Sequence, residues 1–180
     1  MSAPLNLAIV WAQYGPYHFA RMSALRKMAG NAKVHAVEVA NQTSTYAWNR
    51  SSDTAELITL CPDSVFETLS FWKVFARTRR LFKKLNLDVC ILPGYAPKQS
   101  LGVLLAAKSL RMRTVMMNES HAGTSRAGGW GILAKRQLMV LFNSALVGGQ
   151  PQKRYAADFG VPREKIFVGY DAVDNDYFSV

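Results

Sequence analysis

The stretch Asn118-Glu119-Ser120-His121-Ala122-Gly123-Thr124-Ser125-Arg126 brings a carboxylate, an imidazole and a guanidinium into one short segment. Glu119 and His121 have the types needed to take or give a proton. Ser120 and Arg126 have the types needed to hold a hydroxyl or an anion. The plain alternative is that these are solvated loop residues or helix caps. A second candidate is His18, which follows Gly15-Pro16-Tyr17 and opens a helix. Backbone N–H groups at a helix start favour anions, so this turn is a candidate for binding a phosphate or a hydroxyl.

Other chemistries are excluded by missing spacings. The turn after the first apolar run has Gly15 but no GxGxxG, and no P-loop lysine pattern occurs. Glu38 invites comparison with a ribose-binding acid, but without the glycines a nicotinamide or ATP site is rejected. His18, His35 and His121 are widely separated and no HExxH is present, which argues against metal. Ser120 and Ser125 lack a GxSxG elbow. His35 alternates within a strand and reads as structural.

These residues need a scaffold. The chain has 180 residues with 49% hydrophobic, enough for one domain with a full core. Strand-like runs at 6–12, 33–39, 56–60, 88–92, 113–117, 145–147 and 165–170 alternate with helical patterns at 18–29, 64–86, 99–111, 130–142 and 151–159. Residues 41–54 read as a loop. Asp63 or Ser64 is expected to cap the helix ending at Asn86, whose core stripe is Phe71, Val74, Phe75, Phe82 and Leu85. Such alternation predicts an α/β fold: a doubly wound, mainly parallel Rossmann-like sheet with helices on both faces. Glu119 and His18 then fall in loops at the carboxyl ends of strands, where open sheets bind ligands.

Charge and cysteine usage narrow the setting. Lys and Arg number 22 against 12 Asp and Glu, a net charge of +10. Nucleic acid, an anionic membrane surface and phosphorylated substrates could each answer it. No Arg/Lys block with interleaved aromatics, RNP motif or zinc-finger spacing occurs, so nucleic acid is not expected. Lys73, Arg77, Arg80 and Lys84 recur at helical spacing with Trp72 beside them. Such a stripe is ordinarily a solvated helix face; with the indole it is also a candidate for peripheral contact with anionic membrane. Cys61 and Cys90 lack CxxC spacing, Cys90 reads as a buried thiol, and a reducing cytoplasm is expected. Met1-Ser2-Ala3-Pro4 does not open like a signal peptide.

Three passages carry a resemblance: Ala145-Leu146-Val147-Gly148-Gly149-Gln150-Pro151; then Tyr155 to Ile166; then Gly169-Tyr170-Asp171-Ala172-Val173-Asp174-Asn175-Asp176-Tyr177-Phe178. Together the chain resembles the N-terminal domain of family-4 glycosyltransferases of the GT-B fold. The resemblance implies two Rossmann-like domains around a cleft, with the acceptor held by the N-terminal one. The C-terminal one would hold the nucleotide-sugar donor and a paired-glutamate motif. Transfer in such enzymes retains the anomeric configuration and needs no metal. Residues 1–170 would then be the acceptor-side domain, and residues 171–180 the start of the linker to a C-terminal domain absent from this chain. The chain itself is expected to hold no cofactor and, alone, to turn nothing over.

Carried onto this sequence, the resemblance puts Gly15, Pro16, Tyr17 and His18 near donor phosphate or acceptor. It puts Glu119 or His121 near the acceptor as catalytic candidates, with Ser120, Arg126 and Lys135 as substrate-binding ones. The first loop departs from the family pattern by lacking a double glycine, which weakens the case for Gly15 at a phosphate. The expected acceptor is a glycan or lipid-linked precursor at the cytoplasmic face of a membrane. Two rivals stand: a stand-alone α/β binding domain for phosphorylated ligands or an anionic membrane, and a different enzyme using Glu119 as base on a small metabolite.

Overall fold

The computed structural model describes residues 3–45, 56–120 and 130–170. Among these the strands are β1 (Asn6–Trp11), β2 (Lys33–Gln42), β3 (Leu57–Val65), β4 (Val89–Leu92), β5 (Arg113–Asn118), β6 (Ser144–Val147) and β7 (Ile166–Val168). The helices between them are α1 (Pro16–Met28), α2 (Phe71–Leu85), α3 (Lys98–Ser109), α4 (Trp130–Met139) and α5 (Gln150–Asp158). All strands pair in parallel in the order β3-β2-β1-β4-β5-β6-β7. The fold is therefore an α/β, Rossmann-like sheet, as the alternation predicts. The order reverses between β1 and β4, and ligand crevices of open sheets form at that switch point.

Strand periodicity splits the core into two layers. Ala8 and Val10 of β1 point to one face, where Val74, Phe82, Leu104, Met116, Phe142 and Ala156 pack. Leu7 and Ile9 point to the other, with Met22, Ala36, Met117 and Tyr170. So α1 covers one face, and α2, α3 and α5 cover the other. Burial on both faces explains why the strands read as continuous apolar runs.

The start of α2 differs from the sequence expectation. Strand β3 runs on through Cys61-Pro62-Asp63 to Val65, and a 3-10 turn at Phe66–Thr68 follows. Ser70, not Asp63 or Ser64, caps the helix by accepting from the amide of Lys73 at 3.3 Å. Proline marks a strand's end only where its missing N–H would be needed. β3 is an outer strand, where that loss is tolerated. Asp63 takes a left-handed φ of 54°, and the β2–β3 register shifts between Ala40 and Gln42. Glu67 does not sit in the helix; its carboxylate accepts from the amide of Ser44 at 3.0 Å.

The other differences are small. Helix α1 starts at Pro16, which suits a first helical position because it needs no N–H. Met28, the last residue of α1, is 83% exposed. Thr78 completes the buried stripe of α2 between Val74 and Phe82, while Phe71, Phe75 and Leu85 are half-buried. β7 is shorter than expected, because Gly169 at φ 127° turns the chain. Cys61 and Cys90 are both buried free thiols. Residues 171–180, and with them the expected linker, lie outside the described residues. Among the described residues no helix is long and apolar enough to cross a membrane.

Candidate functional site

At the carboxyl edge of the sheet the first loop is built from the inside out. Glu38, in the middle of β2 and paired with Trp11 at the end of β1, is 2% exposed. Its carboxylate accepts from the amide of Tyr14 at 3.1 Å and from the hydroxyl of Thr59 at 2.7 Å. The Tyr14 hydroxyl, its proton held more tightly because of burial, donates to the carbonyl of Ile9 at 2.9 Å. These bonds clamp the turn between β1 and α1. Glu38 thus serves as a brace, a role that a buried strand acid can take without a dinucleotide.

His18 is the product of that brace. The amide of Gly15 donates to Nδ1 of His18 at 2.9 Å, while the amides of His18 and Phe19 donate to the Gly15 carbonyl at 2.9 and 3.2 Å. The imidazole thus takes the place of a capping box's glutamate, while the Gly15 carbonyl, glycine having no side chain, accepts in return. An accepting Nδ1 assigns the ring proton to Nε2. Burial, reinforced by the charge of Arg21, lowers the His18 pKa to about 4. The ring is therefore neutral near pH 7. It stacks on Trp11 with centroids 4.0 Å apart, and Trp11 stacks in turn on Tyr170 at 6.4 Å. The guanidinium of Arg21 lies 4.9 Å over the Tyr170 ring. The amide of Gly15 is turned to His18, so within this turn it is His18 that Gly15 holds.

Two open recesses adjoin this stack. One, of about 470 Å³, is lined by Pro93, Met117, Asn118, Glu119, Ser120 and Tyr170. The other, of about 370 Å³, reaches from Gly94 and Tyr95 past Asn118 and Ser120 to Lys135 and Met139. Pro93, Asn118 and Ser120 border both, and Tyr170 links the first recess to Trp11. Asn118 shapes the shared wall: its side-chain oxygen accepts from the amide of Ser120 at 2.9 Å, an Asx turn. Gly94 needs its φ of 74°, a conformation that side chains resist. Tyr95 packs on Phe142 and, being half-buried, has its pKa raised to about 12 by desolvation and by Tyr155.

Lys135 supplies the positive charge of the second recess. Its ammonium donates to the hydroxyl of Tyr155 and lies 4.7 Å from the Tyr155 ring centroid and 5.2 Å from that of Phe159. Two aromatic faces and a hydroxyl fix one cation in place. Such a recess offers a cation, an amide, a hydroxyl and a phenol, a set suited to phosphate or sugar hydroxyls.

The structure brings His18, Glu119, Ser120 and Lys135 to one edge, with Gly15, Pro16 and Tyr17 in the adjoining turn. Glu119 and Ser120 are exposed. His121 and Arg126 lie outside the described residues. Lys73, Arg77, Arg80 and Lys84 stand apart on α2, the exposed helix between β3 and β4. Trp11 and Tyr95 were not singled out in the sequence; Glu38, Asn118, Tyr155 and Tyr170 were, but not in the roles that the structure gives them. An aromatic closing a strand or following a glycine turn was the available signal for Trp11, Tyr95 and Tyr170. Among the described residues no group of three His, Cys, Asp or Glu could hold a metal.

No protein-family model and no curated protein matches the sequence. Solved structures do match in fold. UDP-GlcNAc 2-epimerase from Methanocaldococcus jannaschii superposes with a TM-score of 0.60 at 14% identity, covering 91% of this chain and 45% of that one. MurG from Acinetobacter baumannii gives 0.58 at 16% identity, covering 95% and 46%. S. aureus MnaA, solved with UDP, gives 0.64 at 10% identity, covering 91% and 43%. The chain spans about half the length of these proteins, and at such identities the likeness is one of fold.

Proposed function

We propose that the chain forms the acceptor-side half of a GT-B-type enzyme acting with a nucleotide-sugar, and that the whole protein is a retaining glycosyltransferase. The carrying observation is the Lys135 recess at the carboxyl edge, beside the turn that orients His18. A glycan or lipid-linked acceptor bearing phosphate would seat its anion against Lys135 and its hydroxyls against Asn118, Ser120 and Tyr95. The anomeric carbon of the donor would lose its bond to the diphosphate and gain one to the acceptor oxygen on the same face, which keeps its configuration. The acceptor's proton would pass to Glu119 or His121. The neutral His18, held with its proton on Nε2, would donate to a hydroxyl or phosphate oxygen rather than carry charge. The donor itself would be bound by a second domain, and most of the rate would come from positioning and from charge stabilisation of the leaving diphosphate. Such a protein would work at the cytoplasmic face of a membrane.

A second reading is favoured by the nucleotide-sugar 2-epimerases among the fold's neighbours: the same half-cleft could serve an epimerase, which needs no acceptor. Product analysis separates the two. The full-length enzyme is given a panel of UDP-sugars with and without a short-chain prenyl-diphosphate-linked sugar. A new glycosidic bond that appears only with the acceptor supports transfer. Conversion of UDP-GlcNAc to its 2-epimer without acceptor overturns it.

A further inference from the structure

The outward face of α2 is chemically one-sided. Its exposed positions are Trp72, Ala76 and six cations: Lys73, Arg77, Arg79, Arg80, Lys83 and Lys84. No acidic residue lies in the helix. From Lys73 to Lys84 the cations extend over about 17 Å of helix axis. Arg79, Arg80, Lys83 and Lys84 border a shallow groove of about 670 Å³ floored by Phe75 and Ala76. Like charges at neighbouring turns of one helix repel and cost stability. An anionic surface laid against this face would relieve that repulsion.

The aromatic residues sit at one end of this face. The Trp72 side chain is 73% exposed. Its indole rests edge-on against Phe71 at 4.9 Å and Phe75 at 6.1 Å, half-buried rings that keep it raised from the helix. An indole projecting beside a cationic ridge is the pairing that suits a lipid headgroup layer: the ring enters the interface and the cations meet the headgroups. Nucleic acid would be better served by aromatics spread among the cations for base stacking. A protein groove would be better served by a larger apolar body.

From these observations we infer that α2 is a docking surface for an anionic lipid bilayer. Arg77 is not part of the lipid contact: its guanidinium donates to the carbonyl of Leu60 at 2.8 Å and ties the helix to β3. The working residues are Trp72, Lys73, Arg79, Arg80, Lys83 and Lys84. Because α2 starts where β3 ends, its Trp72 end lies at the carboxyl edge of the sheet. The bilayer would thus meet the molecule on the same edge of the sheet as the recesses. The inference concerns location only and stands whether or not the proposed chemistry is correct.

The test is sedimentation with two kinds of vesicle, phosphatidylcholine alone and equal parts phosphatidylcholine and phosphatidylglycerol. The protein should bind only the anionic vesicles, and binding should weaken steeply with added salt. Each cation neutralised among Arg79, Arg80, Lys83 and Lys84 should lower the partition coefficient about five-fold. Trp72→Ala should lower it several-fold with circular dichroism and thermal midpoint unchanged. In the Trp72→Phe variant the blue shift of tryptophan emission on vesicle binding should be lost. Equal binding to neutral vesicles overturns the inference. So does a folded R79E/R80E/K83E/K84E variant that binds like the wild type. Retention on single-stranded oligonucleotide without any vesicle binding overturns it in favour of nucleic acid.

Discussion

The amide of Gly15 donates to Nδ1 of His18 at 2.9 Å, so the loop after β1 chooses the tautomer of its own histidine. Trp11, stacked on the ring at 4.0 Å, excludes water from it, and burial then keeps the imidazole uncharged.

That arrangement predicts a pH dependence of stability. The His18 pKa falls from 6.5 to about 4 on folding, so the unfolded chain binds the proton more readily. Stability is then full above about pH 6.5 and is lost as pH falls toward 4. The loss is up to about 3 kcal/mol from this group. His35, shifted the same way by burial and by Arg26 and Lys33, adds to the slope. Urea unfolding between these limits should show a flatter dependence for His18→Gln than for the wild type.

Glu38→Ala should cost about 3 kcal/mol, since it strands the buried amide of Tyr14 and weakens the hold on Thr59. Glu38→Gln, which keeps an accepting oxygen, should cost roughly half as much. Chemical denaturation reads both. On the proposed function Glu38→Ala should also raise KM for the acceptor, because the turn carrying His18 loosens.

Much of the scaffold was legible because parallel strands buried on both faces read as apolar runs, and β1, β4 and β5 show this plainly. The start of α2 was not, because Pro62 and Asp63 have the composition of a stop. Only the position of β3 at the sheet's edge lets the strand pass through them. Glu119, Ser120, His18 and Lys135 were visible as residue types after strands. Their setting was not, since it is made by partners distant in the chain. Trp11 meets Tyr170, and Lys135 meets Tyr155, only after the sheet has ordered β1 through β7. The buried Glu38 could be seen as an acid in a strand, but its work as a brace depends on Tyr14 and Thr59 arriving from two other elements.

On the proposed function, Lys135→Met should raise KM for an acceptor bearing phosphate by about ten-fold or more, the usual worth of a hydrogen bond to a charged group. The effect on kcat should be smaller. Tyr155→Phe, which removes the hydroxyl but keeps the ring beneath the ammonium, should give an intermediate loss. Steady-state kinetics of the whole enzyme at varied acceptor concentration measures the split.

Arg77 and Arg80 should part company. Arg77→Ala removes the bond to the Leu60 carbonyl and should destabilise by about 1–2 kcal/mol. Arg80→Ala lies on the open face and should fall within about 0.5 kcal/mol of the wild type. Thermal melts of the two variants, run side by side, check the contrast.

The two margins of the sheet are unequal. On one side β3 carries Pro62, a residue with no hydrogen to offer a newcomer. On the other, β7 is three residues long and leaves Phe167 59% and Val168 44% exposed. Among the described residues, then, one margin lacks a donor at Pro62 and the other is only three residues long, so neither offers an incoming strand a full ladder.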